Sequence, residues 1–219
     1  MSTVQIISGF FLVIIVIILL IRYFSNKRTE ALTAFAEFEH YKFSKNPDDT
    51  LLPSLSGFRL FSKGHAKKVS NVLRKDSAEK DLTIFDYRYT TGGGKSSHTW
   101  NQTVILYQSN RLQLPSFTLR PENVFHKIGK SFGYEDIDFD THPIFSKQYL
   151  LRGEDEMKVR KLFTEKILSY FDEKKGFCVE GDGARLLFYR GGKKVPPQNI
   201  PLFQETGLEV FNLFKESMI

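Results

Sequence analysis

The residues most able to do chemistry form an acidic run that ends in a histidine, residues 135–142 (EDIDFDTH). In an extended strand Asp136, Asp138 and Asp140 would share one face, because successive side chains point to opposite sides. Carboxylate oxygens gathered on one face suit a hard cation such as Ca²⁺ or Mg²⁺. His142 adds a nitrogen ligand or a proton-transfer group. The run is therefore the candidate metal or catalytic site.

The spacing of this run does not fit a calcium loop. Counted from Asp136, the sixth position is Thr141 and the twelfth is Lys147, where an EF-hand needs Gly and Glu. A structural interpretation competes, in which the run is an acidic loop or edge strand with Ile137 and Phe139 turned toward the core. That interpretation is favoured, and we predict no metal, no cofactor and no catalytic residue.

Three other motifs also lack the surroundings that chemistry needs. Residues 92–95 (GGGK) resemble a phosphate-binding loop, but Tyr89 stands where the motif needs its first Gly, and a strand rather than a helix is expected next. The five histidines have no metal-ligand spacing. Cys178 lies in an apolar stretch and is expected to be a buried small side chain. The sequence therefore favours a protein that is not an enzyme.

The N-terminal segment, residues 4–24, is almost entirely apolar, and its one charge is Arg22 near its end. As a helix it would be roughly 30 Å long, enough to cross a bilayer. A cleaved signal peptide needs positive charge before the apolar run and small residues directly after it. Residues 1–5 carry no charge, and the nearest A-x-A pattern lies at 34–36. We therefore predict a permanent single-pass anchor, residues 1–25.

The residues that follow the apolar segment predict its orientation. Arg22, Lys27 and Arg28 come at its end, and Lys and Arg near a span tend to stay on the cytoplasmic side. Tyr23 lies where aromatic rings prefer the membrane interface. We predict that these four residues lie at the membrane interface, that the N-terminus is outside, and that the C-terminal domain is cytoplasmic.

Composition limits the remainder of the 219-residue chain. The 31 basic and 25 acidic residues give a net charge of +6, and the basic residues occur in scattered pairs rather than in one patch. Nucleic-acid binders usually gather their charge in one patch or along one helix, so we predict no nucleic-acid partner. The 21 Phe and 9 Tyr can supply a sizeable core, and a single cysteine allows no disulfide within the chain.

Hydrophobic patterning predicts an α+β domain behind the anchor. Residues 26–56 read as a juxtamembrane helix and linker, and residues 57–219 as the soluble domain. Hairpins are expected at 81–108 and 176–190, a strand at 145–151, and helices at 121–133, 154–175 and near the C-terminus. The expected fold is an N-terminal transmembrane helix followed by an antiparallel sheet, built around two hairpins, with helices packed on it.

Four short runs carry a resemblance to known sequences: 85–89 (FDYRY), 114–122 (LPSFTLRPE), 136–139 (DIDF) and 145–153 (FSKQYLLRG). With them the chain resembles uncharacterised single-pass, membrane-anchored bacterial proteins of unknown function. The resemblance implies a topology and nothing catalytic.

Three functional hypotheses remain open at this point. The first is a binding or assembly module at the cytoplasmic face that contacts the bilayer through residues 4–24 and another membrane protein or complex through its domain. The second is a membrane-associated enzyme or metal-binding protein that uses residues 135–142. The third is a sensor of anionic lipid surfaces that uses Arg22, Lys27 and Arg28.

Overall fold

A computed structural model describes residues 3–46, 50–122 and 136–218, with side chains from residue 9 onward. The first element is a single helix, α1 (Thr3–Phe38), of 36 residues. Its portion Gly9–Phe38 is long and apolar enough to cross a membrane by length and composition. The predicted apolar helix is therefore present, and it runs without a break past the end of the apolar run.

The rest of the described chain is organised around one sheet of eight antiparallel strands. The strands are β1 (Lys42–Ser44), β2 (His65–Lys75), β3 (Asp81–Thr91), β4 (His98–Gln108), β5 (Leu114–Pro121), β6 (Tyr149–Gly153), β7 (Cys178–Gly183) and β8 (Arg185–Tyr189). Their order across the sheet is β1-β2-β3-β4-β8-β7-β5-β6. The predicted antiparallel α+β architecture is confirmed.

Both predicted hairpins are present in the sheet. β3 and β4 pair over their whole length, from Asp81 opposite Gln108 to Thr91 opposite His98. A short 3₁₀ turn, Gly94–Ser96, lies at the tip, so the glycine-rich motif closes a hairpin. β7 and β8 form the second hairpin, and Gly183 in its turn has a φ of +58°, which glycine adopts without steric cost.

Seven helices accompany the sheet in the described ranges. Besides α1 they are α2 (Leu51–Ser54), α3 (Arg59–Ser62), α4 (Pro143–Gln148), α5 (Glu156–Leu162), α6 (Glu165–Glu173) and α7 (Ile200–Glu216). A second 3₁₀ turn, Pro197–Asn199, precedes α7. The helix predicted at 121–133 falls largely outside the described residues.

The larger hydrophobic core lies on the face of the sheet that receives α1, α6 and α7. Its helix residues include Leu32, Ala36, Ile167, Phe171, Val210, Phe211 and Phe214, and its strand residues include Ile84, Ile105, Tyr107, Val179 and Phe188. Gly207 lets α7 approach closely, because an added Cβ would lie 3.0 Å from both the Phe188 ring and the Tyr107 hydroxyl.

The opposite face of the sheet carries a smaller core under the short helices α2 and α3. Leu51, Leu55, Phe58, Leu60 and Phe61 pack there against Val69, Phe85, Tyr87, Tyr89, Val104 and Leu187. Alternate residues of β3 thus enter different cores, because successive side chains of a strand point to opposite faces.

The stretch 26–56, predicted as a juxtamembrane helix and linker, contributes described residues to both cores. Leu32 and Ala36 of α1 are 1% exposed and belong to the larger core. Leu55 is fully buried in the smaller core. The predicted boundary between linker and domain at residue 57 therefore has core residues on both sides of it.

Two local predictions differ from the structure. The helix expected over 154–175 is two helices, α5 and α6, because Thr164 adopts an extended backbone as the N-cap of α6. The break places the Phe163 ring edge-on against the rings of Phe117 and Phe214. The strand expected at 145–151 begins only at Tyr149, because Pro143 stands near the start of a short helix, α4.

Candidate functional site: the junction of the N-terminal helix and the sheet

The most elaborate polar arrangement in the described chain joins α1 to the middle of the sheet. The Asp86 side chain on β3 is 2% exposed, and the Arg28 side chain on α1 is 14% exposed. Arg28 Nε donates to Asp86 Oδ2 at 2.7 Å, and Arg28 Nη2 donates to Asp86 Oδ1 at 2.7 Å. Paired bonds of this kind fix the orientation of a guanidinium as well as its position. The ion pair therefore attaches α1 to the sheet in one geometry.

The remaining donors of Arg28 also contact the domain. Arg28 Nη1 donates to the backbone carbonyl of Val195 at 2.7 Å, and Nη2 lies 3.1 Å from the Thr103 hydroxyl on β4. That hydroxyl in turn accepts from the Val195 amide at 2.9 Å and donates to Asp86 Oδ1 at 3.0 Å. One side chain of α1 thereby links β3, β4 and the segment between β8 and α7.

An irregularity in β2 completes the site from the other side. Asn71 has a φ of +53°, a left-handed conformation that Asn tolerates better than most residues, and the β2–β3 register shifts between Ser70 and Leu73. The Asn71 amide donates to Asp86 Oδ2 at 3.0 Å, and its carbonyl accepts from the Thr29 hydroxyl at 2.9 Å. Lys194 Nζ lies 3.5 Å from the same carboxylate. Asp86 is thus surrounded by donors from four segments.

The environment of Asp86 keeps it ionised. Burial alone would raise the pKa of this carboxyl, but the guanidinium of Arg28, the ammonium of Lys194 and the Asn71 amide together lower the pKa below its ordinary value. The ion pair therefore persists at neutral pH. Removing one partner from such a pair leaves an uncompensated buried charge, which is far more costly than losing a surface contact.

Arg28 and Asp86 lie at one end of a cleft between α1 and the sheet. The cleft has a volume of about 620 Å³. On the helix side the cleft is lined by Ile17, Leu20, Ile21 and Phe24. On the side of the domain it is lined by polar and basic residues: Lys45, Asn46, Lys68, Ser70, Arg88, Asn101 and Lys194. An apolar wall along the predicted span thus faces a basic wall on the domain.

The predicted membrane-interface residues have different positions around this junction. Arg22, Tyr23 and Lys27 are exposed on α1. Arg28 turns into the domain instead, where it makes the contacts described above. The placement of these four residues at a membrane interface stays a prediction.

The candidate metal residues do not converge on one point. The Asp136 carboxylate accepts from Arg152 Nε at 2.5 Å, whereas Asp138 and Asp140 are exposed. His142 is 6% exposed, and its Nε2 lies 3.2 Å from a Glu165 carboxylate oxygen on α6.

The backbone around these residues follows the structural interpretation. Ile137 is buried, its amide donates to the carbonyl of Leu151 on β6 at 2.8 Å, and Phe139 packs against the larger core. Glu135 lies outside the described residues. Over the described ranges no group of three or more His, Cys, Asp or Glu side chains is arranged to hold a metal ion.

A second buried carboxylate lies on the opposite face of the sheet. Glu180 on β7 is 1% exposed, accepts from the Tyr189 hydroxyl at 2.7 Å, and accepts from the backbone amide of Leu60 on α3 at 3.1 Å. Burial, with a further contribution from Glu180, raises the pKa of Tyr189. Lys63 lies close by, and burial lowers the pKa of its amine to about 8. This cluster holds α3 against the sheet.

The single cysteine is inert in this environment. Cys178 is fully buried on the same face as Glu180, and burial raises the pKa of its thiol to about 12. A nucleophilic cysteine needs the thiolate, which this environment disfavours. The prediction that Cys178 is a buried small side chain is confirmed.

Comparison with known proteins identifies a similar fold but no family. No protein-family model matches the sequence, and no curated protein matches it significantly. Among solved structures, the crystal structure of the mycobacterial trehalose monomycolate transport factor A, TtfA, is similar, with a TM-score of 0.58 and 11% sequence identity. The match covers 87% of this chain and 94% of that one. At this identity the likeness shows a shared fold.

Proposed function

We propose that the protein is a single-pass membrane protein whose C-terminal domain is a binding or assembly module at the cytoplasmic face, contacting another membrane protein or complex. The observation that carries this proposal is the Arg28–Asp86 junction. Because α1 is one continuous helix and Arg28 is bound on several sides, a domain anchored by α1 has a fixed orientation to the bilayer. Because its orientation is fixed, such a domain presents the same surface to every neighbouring protein in the membrane.

The same junction supports a permanent anchor over a cleaved signal sequence. Cleavage after the A-x-A pattern at 34–36 would remove Arg28 from the Asp86 carboxylate and Leu32 from the larger core. The Asp86 carboxylate would then keep only the Lys194 ammonium, 3.5 Å away, as a charged partner. We propose residues 1–25 as the anchor and the remainder of the chain as the unit that it holds.

The cytoplasmic orientation of the domain is proposed from the flanking charges. Arg22 and Lys27 are exposed on α1 around the C-terminal end of the apolar segment, and basic residues there favour the cytoplasmic side. Protease added outside intact cells is expected to leave the domain whole, and to digest it once the membrane is opened. Digestion in intact cells would contradict the orientation.

The name of the similar protein supports a proposal about the kind of partner that this chain contacts. That name describes a transport factor, and we propose that this chain likewise works beside membrane transport machinery. A surface suited to such contact lies next to α1, where a shallow groove of about 300 Å³ is lined by Phe177, Val195, Pro196, Phe203 and their neighbours. Leu202 lines this groove and is 67% exposed.

A photo-crosslinking amino acid placed at Leu202 tests the proposal in native membranes. We expect one discrete integral membrane protein to be captured at this position. Met157 on α5 is 82% exposed and is not among the residues that line the groove, so the same probe there is the matched control. Equal capture at both positions, or capture at neither with the protein migrating as a lone monomer, would contradict the assembly proposal.

A further inference from the structure

One side of α1 lines the cleft on the N-terminal side of Arg28 and enters the larger core on the C-terminal side. Ile17, Ile21, Phe24 and Arg28 follow one another at intervals of three or four residues, as does Leu32 beyond them, so they share one side of α1. On the C-terminal side of Arg28 this side of α1 is buried, with Leu32 1% exposed. On the N-terminal side of Arg28, Ile17 is 49% exposed and Phe24 is 64% exposed. The N-terminal part of this side therefore faces a space that no described residue fills.

Opposite this apolar wall, adjacent strands present a row of polar side chains. Lys68 on β2 lies directly across from Arg88 on β3, and Arg88 lies across from Asn101 on β4. Cross-strand neighbours point to the same face, and adjacent strands are about 4.8 Å apart. The three side chains thus span about 10 Å on the same face as Asp86, which precedes Arg88 by two residues in β3.

The charged side chains that line the cleft are mostly positive. Arg28, Lys45, Lys68, Arg88 and Lys194 all line it, and of the described lining residues Asp86 alone is acidic. That single carboxylate is already bonded to Arg28. Lys68 and Arg88 are exposed and form no ion pair with a described residue. The cleft therefore has cations available for an anionic ligand.

We propose that this cleft binds one anionic glycerophospholipid of the surrounding bilayer. The phosphate would be held by Lys68, Arg88 and Lys194, and the acyl chains would lie along the wall formed by Ile17, Leu20, Ile21 and Phe24. A lipid fits better than a soluble anion, since the apolar wall continues directly from the membrane span. The inference rests on the proposed anchoring of α1 and adds a specific ligand to it.

The test uses the full-length protein in non-ionic detergent, titrated with phosphatidylglycerol or phosphatidylcholine and followed by native mass spectrometry. We expect phosphatidylglycerol adducts to survive at lower lipid concentration than phosphatidylcholine adducts. The double substitution Lys68→Gln and Arg88→Gln should remove this preference, with about a fivefold loss of affinity for each charge. Both side chains are exposed, so thermal unfolding should be unchanged.

The matched control carries the same loss of charge elsewhere. Lys161 and Lys175 are exposed and do not line the cleft, and Lys161→Gln with Lys175→Gln should keep the phosphatidylglycerol preference. A preference that survives the cleft substitutions, or that both double variants lose equally, would overturn the proposal. Displacement of the lipid by glycerol 3-phosphate at equal concentration would also overturn it, since the site would then serve a soluble phosphate.

Alkaline carbonate extraction of membranes separates failure of this inference from failure of the anchor. Release of the full-length protein by carbonate would contradict the anchoring itself. Retention in the membrane together with equal binding of the two phospholipids would reject the lipid site alone.

Discussion

Asp86 and Glu180 are both almost completely buried, lie on opposite faces of the same sheet, and are satisfied in different ways. Asp86 is paired with a guanidinium from a helix 58 residues away in sequence. Glu180 accepts from a hydroxyl on the neighbouring strand and from a backbone amide of α3. The first arrangement attaches α1, the proposed membrane anchor, to the domain, whereas the second attaches the short helix α3. The difference indicates that the buried ion pair is used where the long N-terminal helix, the proposed anchor, joins the domain.

The largest expected effect comes from removing the cation at the first site. Arg28→Met should lower the free energy of unfolding by about 3–5 kcal/mol, because the buried Asp86 carboxylate loses its paired bonds and keeps only the more distant Lys194 ammonium as a cation. Chemical denaturation of the full-length protein in detergent measures it. Adding Asp86→Asn to Arg28→Met should recover part of the loss, since no buried charge then remains. A loss below about 1 kcal/mol for the single variant would place this pair among ordinary surface contacts.

A smaller effect is expected at the second site. Tyr189→Phe removes the hydroxyl that donates to Glu180 and should cost about 1.5–3 kcal/mol, the range for a hydrogen bond to a charged group. The same denaturation experiment measures this loss. Leu60 still donates its amide to the carboxylate, so α3 should stay in place. A loss as large as that of Arg28→Met would remove the contrast between the two sites.

Acid should act on the first site in a defined direction. The pKa of Asp86 is below its ordinary value of 3.8 in the folded protein. Its contribution to stability is therefore fully present above the unfolded-state pKa and is lost as pH falls through the folded-state pKa. The stability difference between wild type and Asp86→Asn should be constant from about pH 5 upward. It should shrink below pH 3.8, and a difference that grows in acid would contradict the assignment.

Alkali should have the smallest effect, and on the second site. The pKa of Lys63 is about 8 in the folded protein, whereas its ordinary value is 10.5. Between pH 8 and pH 10.5 the unfolded chain therefore binds more protons than the folded protein. The free energy of unfolding should therefore rise modestly with pH above 8, and Lys63→Met should flatten that rise. Because Lys63 is half-buried, solvent weakens the effect. Urea midpoints for both proteins at pH 7.5, 8.5 and 9.5 provide the comparison.

Much of the fold could be predicted from local patterns. The hairpins expected at 81–108 and 176–190 are both present, as β3 with β4 and as β7 with β8. The prediction of one helix over 154–175 was wrong, because the apolar periodicity continues without a break across Thr164, where a new helix begins. Periodicity reports which side of an element is buried, not where its backbone turns.

The junction itself could not be found by scanning along the sequence. Arg28 follows an apolar span and reads as an interface residue, and its partner is far away in sequence. One signal was present, since Asp86 follows Leu82 and Ile84 on the face of β3 that enters the larger core. A carboxylate on such a face needs a cation or several donors. The sequence thus marks Asp86 as a residue that needs a partner, but it does not name Arg28.

The central claim is that Arg28 and Asp86 hold α1 in one orientation on the domain. The most direct measurement is a distance distribution by pulsed electron paramagnetic resonance, in lipid nanodiscs, between spin labels at Asn26 on α1 and Ser169 on α6, with Cys178 replaced by alanine. Both labelled positions are exposed. We expect a single narrow distribution that broadens when Arg28→Met and Asp86→Asn are introduced together. A broad distribution in the protein that keeps Arg28 and Asp86, or a narrow one that the double substitution leaves unchanged, would contradict the claim.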